Sequence, residues 1–179
     1  MAVNHISFSR VILPIMVLLF AVNGKSALAA VNSPFCAPAQ PGNQQNSCNA
    51  AVNGAPTWKA ALTNIMNAAK KDLAPVSAVI AKLPNEEYRS NCNDSLTDLN
   101  DCINEILGSI EGGDLVTIDE STQRIYGTLS TCSDSLEGKG VDLSEIQKFK
   151  IIAADYAALS MAILCSQDKM YCSIDDLIR

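Results

Sequence analysis

Seven cysteines, nineteen carboxylate side chains and one histidine are the groups in this 179-residue sequence from which chemistry would have to come. A thiol can cross-link, ligate a metal or attack an electrophile, and its spacing to other thiols and to a base decides which. No Cys-x-x-Cys pair occurs, and the single histidine, His5, stands ahead of an N-terminal apolar run, far in sequence from every cysteine. Past that run no imidazole is available as general base for a nucleophile, as metal ligand or as proton shuttle. A Gly-rich phosphate loop and a Gly-x-Ser-x-Gly elbow are missing too, so the chain is not read as an enzyme, and no catalytic, cofactor-binding or metal residue is assigned. Carboxylate pairs remain: Asp98 with Asp101, and Asp119 with Glu120. Acid and base roles would need the two members to differ in environment, and on polar helix faces they read as solvated surface. Asp175 and Asp176, beside Leu177, Ile178 and Arg179, read as a tail or short extra helix with no function attached.

The compartment follows from the N-terminus. Arg10 precedes an apolar run, Val11 to Val22, that is shorter than the roughly 20 residues a bilayer span needs. Ala27, Leu28 and Ala29 then supply small residues in a cleavage pattern, so residues 1–29 are expected to be a secretory signal peptide cut after Ala29. No later segment reads as apolar enough to span, and no membrane is expected for the mature form. Losing Arg10 and Lys25 with the leader takes the formal net charge from −6 to −8, which argues against nucleic acid or an anionic membrane as partner. All the cysteines would reach an oxidising, extracellular space, where disulfides persist.

Four apolar stripes at steps of three and four must position these groups. Residues 30–56 are rich in Pro, Gly, Asn, Gln and Ala and read as an arm pinned by its own disulfide, Cys36 with Cys48. Residues 57–179 carry the stripes. The first runs from Trp58 through Leu62, Ile65, Ala69 and Leu73 to Leu83, and Pro75 should kink or split it. The second follows Pro84, opens on Glu86 and Glu87, and continues through Cys92, Leu99, Ile103 and Ile110 to Gly112 and Gly113. A third, from Ile118 to Leu136, has a capping-box spacing in Thr117 and Glu120. The fourth, Phe149 to Ile163, starts at Ser144 or Asp142 and is alanine-rich. Short connections imply antiparallel neighbours, so the expected fold is all-α: an antiparallel four-helix bundle with a disulfide-pinned N-terminal arm.

Cys92 and Cys132 each lie on the apolar stripe of their own helix, forty residues apart. With the second and third helices paired, both sulfurs reach the seam, and a bond there would stabilise the fold by about 4 kcal/mol; two buried free thiols are the alternative. Spacing alone fixes no partner for Cys102, Cys165 or Cys172. Cys165 with Cys172 is the candidate pair, provided the helix ends near Cys165, since seven residues of straight helix hold the Cα atoms about 10 Å apart. Cys102 reads as a free thiol, buried or half-buried. Asn93-Asp94-Ser95 is a glycosylation sequon, with Asn93 the candidate acceptor.

With these features the sequence resembles the plant invertase inhibitor and pectin methylesterase inhibitor family over about Cys36 to Leu164. The resemblance is carried by Asn91-Cys92, the Gly113-Asp114 turn, Thr131-Cys132-Ser133-Asp134, the forty-residue gap between the helix cysteines, and the cysteine pair ahead of the bundle. Leu96 and Leu136 stand where the family has aromatic residues, and three cysteines are additional. The resemblance implies a secreted, apoplastic, non-catalytic inhibitor that covers the cleft of a cell-wall pectin methylesterase, one to one. Acid invertase is the alternative target, with Leu115, Val116 and Thr117 in place of that branch's Pro-Lys-Phe. A bundle carrying an apolar ligand is the rival of another class. No partner-binding residue is assigned outright. The exposed faces carrying Asp98, Asp101, Asn104 and Glu105, and Asp119, Gln123 and Ser130, are candidates for a hydrogen-bonding patch, with plain solvated surface as the alternative reading.

Overall fold

A computed structural model describes residues 32–39 and 42–172. The expected signal peptide, 1–29, and the terminal Asp175 and Asp176 lie outside the described residues. Within them the chain is all-α, with no strand: α1 (Asn43–Val52), α2 (Trp58–Leu73), α3 (Val76–Ile80), α4 (Glu86–Gly112), α5 (Leu115–Leu136) and α6 (Ser144–Gln167), flanked by short 3-10 turns at Pro34–Cys36 and Lys169–Cys172.

Each boundary has a local cause. Thr57 accepts the Ala60 N–H at 3.2 Å and starts α2. Pro75, which lacks an N–H and clashes with the preceding turn, splits the first stripe into α2 and α3. Asn85 caps α4 by accepting from Tyr88 at 2.9 Å, with Glu86 and Glu87 complementing the helix N-terminus. Gly113, at φ 72°, takes the left-handed turn that returns its N–H to the carbonyls of Ser109 and Ile110. The cap of α5 differs from the expected Thr117–Glu120 box. Asp114, directly after the left-handed glycine, meets the free N–H groups first, and its carboxylate accepts from the Thr117 N–H at 3.1 Å and the Thr117 hydroxyl at 2.7 Å. Of the two candidates for α6, Asp142 accepts the Ser144 N–H at 2.9 Å.

The arm also differs from the irregular segment expected. Its Asn- and Gln-rich stretch forms α1, of which Cys48 and Val52, one turn apart, are buried. The Cys36–Cys48 disulfide and a 2.8 Å bond from the Ser33 N–H to Asn49 Oδ1 hold the preceding turn against it.

The most extensive packing is between α4 and α5, followed by α5 with α6, α6 with α2 and α2 with α4, so each long helix touches two others. Leu62, Ile65, Ile103, Ile106, Ile125, Leu129 and Ile163 fill the space between them, all at most 1% exposed. Contrary to the sequence expectation, α6 is long and apolar enough by composition to cross a membrane, its alanines contributing heavily; half of that apolar window is buried within the fold. Alanine also lets α6 approach its neighbours closely, with Ala153, Ala157 and Ala162 in the core.

Three disulfides join Cys36 to Cys48, Cys92 to Cys132 and Cys165 to Cys172, and Cys102 keeps a free thiol. They point to an oxidising, extracellular-type compartment. Although α6 runs two residues past Cys165, extended backbone at Asp168 breaks the helix, and the 3-10 turn folds back to bring the two Cα atoms within 4.6 Å. Access separates the three bonds. Cys36, Cys48, Cys92 and Cys132 are fully buried, whereas Cys172 is exposed, and thiol exchange requires the attacking thiolate to reach sulfur. Under limiting dithiothreitol, alkylation is therefore expected at Cys165 and Cys172 before any of the other disulfide cysteines; peptide mapping that finds Cys36 or Cys92 labelled at the same rate would contradict this.

Candidate interaction site

The α4–α5 seam carries a polar groove of about 490 Å³. One wall is built by Asn91, Asp94, Ser95 and Asp98, which recur at helical spacing along one edge of α4; Arg124, Thr128, Thr131 and Ser135 do the same on α5. Between them Gly127 leaves a notch, with nothing beyond its chain neighbours and its own helix backbone within 4 Å of where a Cβ would stand. A glycine inside a helix costs about 0.5–1 kcal/mol relative to alanine, so this one weakens α5 while opening the groove. Arg124 is oriented by Glu105, which accepts from its guanidinium at 2.9 Å and from the Ser121 hydroxyl at 2.6 Å. Such partly exposed pairs add little stability but fix where a side chain points.

The candidate patch is only partly assembled. Asp98 lines the groove and Glu105 supports it through Arg124, whereas Asn104 faces away and accepts from Lys70 of α2 at 2.6 Å. Gln123 donates to Asp119 on its own helix at 2.9 Å, while Asp101 is exposed to solvent. Arg124, Gly127 and Thr128 are not singled out by the sequence, and Thr131 enters there only through the Thr131-Cys132-Ser133-Asp134 resemblance. The small residues at 127, 128, 131 and 135, one edge of the third stripe, were the available signal.

Cys102 is fully buried on α4, and burial pushes its thiol pKa up, with Arg124 only partly opposing. It therefore stays protonated at neutral pH, a poor nucleophile. No cluster of His, Cys, Asp and Glu able to hold a metal occurs among the described residues. A second concavity, of about 200 Å³, lies among α1, α2 and α6, where the Tyr156 hydroxyl donates to Asp72 at 2.6 Å. Burial and this bond push the Tyr156 pKa far up, and burial also raises that of Asp155 at the same cavity.

Asp114 and Asp155 act on stability with opposite sign. The hydroxyl and N–H of Thr117 hold the Asp114 carboxyl below the ordinary Asp value, so its contribution is present above that value and is lost as pH falls through the folded pKa. The raised Asp155 favours the fold at low pH and loses that contribution as pH rises through its folded value. In melting curves from pH about 3 to about 7, Asp114→Ala should be least destabilising at the acid end, and Asp155→Asn should gain stability over wild type toward neutrality. Parallel curves for all three proteins would contradict both assignments.

No family model matches this chain, and no curated protein matches it.

Proposed function

We propose that the chain is a secreted, non-catalytic protein inhibitor of the invertase and pectin methylesterase inhibitor type, acting by covering the cleft of a cell-wall pectin methylesterase. In this reading α2, α4, α5 and α6 form an antiparallel four-helix bundle, and residues 1–29 are the leader that brings it to the apoplast. The observation that carries it is the α4–α5 hairpin: the Gly113-Asp114 turn joins the helices at one end, and the Cys92–Cys132 disulfide joins them near the other. That arrangement, with a second disulfide pinning the arm, is what the sequence resemblance implies.

The groove supports a docking role. Two helices tied at both ends present a rigid surface, so little ordering entropy is lost when a partner binds. The Cys92–Cys132 disulfide beside the groove, and the Glu105–Arg124 pair along its side, limit how far either wall can move. Covering a cleft requires shape and hydrogen bonds but no proton transfer, so the reading gives no acid–base role to Asp72 and Asp155, which edge the smaller concavity.

The invertase-directed alternative is weakened by Leu115-Val116-Thr117 after the turn, where Val116 is 56% exposed and offers no basic group. An apolar-ligand carrier is not favoured by the two cavities described, both of which are open and edged by carboxylates. Mixing oxidised protein with pectin methylesterase should yield a one-to-one complex in native mass spectra. Co-elution with invertase instead would transfer the reading to that branch.

A further inference from the structure

Asn93 is the remaining chemical group that the docking reading does not use. The sequence has one Asn-x-Ser/Thr sequon, Asn93-Asp94-Ser95, and it lies in the second turn of α4. Asn93 is exposed, and its side-chain amide has no hydrogen-bond partner among the described residues; only its backbone carbonyl is engaged, by the Thr97 hydroxyl at 2.9 Å. Ser95 is the opposite. It is 4% exposed, and its hydroxyl donates to the Asn91 carbonyl at 3.2 Å. At about 100° per residue, the helix sets Asn93 and Ser95 about 160° apart, on nearly opposite sides, so a transferase cannot grip both on the folded chain. Between them in space the buried Cys92 is already tied to Cys132. By the same geometry Asn93 stands about 150° around α4 from the mean direction of Asn91, Asp94, Ser95 and Asp98, the residues that wall the groove.

We propose that Asn93 carries an N-linked oligosaccharide, attached before the Cys92–Cys132 disulfide closes, on the flank of α4 turned away from α5. In the transfer the Asn93 amide nitrogen loses a proton and bonds the anomeric carbon of a lipid-linked oligosaccharide, and the lipid diphosphate departs. Folding then withdraws the Ser95 hydroxyl into the core and leaves the glycan outside. The sugar shields the outer flank of α4 and keeps the α4–α5 groove open, so modification and docking use different sides of one helix. The inference rests on the secretory part of the proposed function and not on the identity of the target enzyme.

The test places a proven secretory leader ahead of residue 30 and expresses the protein in a eukaryotic secretory host. The intact mass of the secreted chain should exceed the peptide mass by one oligosaccharide, fall back on treatment with peptide N-glycosidase, and show no excess in Asn93→Gln. Secretion at the bare peptide mass would overturn the proposal. Timing is read separately on unglycosylated protein offered to microsomal transferase with a lipid-linked donor. The reduced, unfolded chain should accept one glycan and the oxidised, folded chain at least tenfold less, whereas equal acceptance would overturn the order of events. Because neither readout involves inhibition, failure here is distinct from failure to inhibit pectin methylesterase.

Discussion

Replacing Cys92 and Cys132 together by alanine should lower the free energy of unfolding by about 4 kcal/mol, a large share of a domain's net stability. The disulfide closes a separation of 40 residues, and both cysteines are fully buried between α4 and α5. Without it the unfolded chain regains loop entropy, and the hairpin is held by packing alone. The Cys36–Cys48 bond spans only 12 residues, so the corresponding double variant should lose less, about 3 kcal/mol. Urea titrations of both variants beside the wild type check the order. A Cys92/Cys132 variant as stable as the native protein would mean that α4 and α5 are not held by their covalent tie.

The second large effect concerns binding. Gly127→Trp should abolish docking at the groove while sparing the fold. A side chain at 127 meets open space, and losing a helix-interior glycine offsets any cost of the ring. The indole would occupy the notch between Asp98 and Arg124 and obstruct whatever partner enters there. Inhibition should weaken by about 100-fold or more, equivalent to about 2.7 kcal/mol, with the melting temperature unchanged or higher. Undiminished inhibition by a folded Gly127→Trp protein would move the docking surface elsewhere.

How much of this was legible in the sequence differed by element. Helices α2, α4, α5 and α6 announced themselves because Leu62, Ile103, Ile125 and Ile163 belong to unbroken steps of three and four, and the core pairs those stripes directly. Helix α1 did not, since its Asn- and Gln-rich turns bury only Cys48 and Val52, too few for a period. At the start of α5 two cap readings competed, and Thr117–Glu120 matched a motif while Asp114 had the better position behind a left-handed glycine. The groove was the least legible feature. It exists only where two helices meet, and its most telling residue, Gly127, contributes by having no side chain. Asp98 was visible as a polar face residue, but that Glu105 would turn to Arg124 and Asn104 to Lys70 depended on which neighbour each side of α4 received.

The most direct test of the proposed function is titration of a plant pectin methylesterase, with acid invertase in parallel, by oxidised residues 30–179 from mildly acidic to neutral pH. The account predicts stoichiometric loss of pectin methylesterase activity with invertase untouched. Full activity of both enzymes at a molar excess of the chain would contradict it.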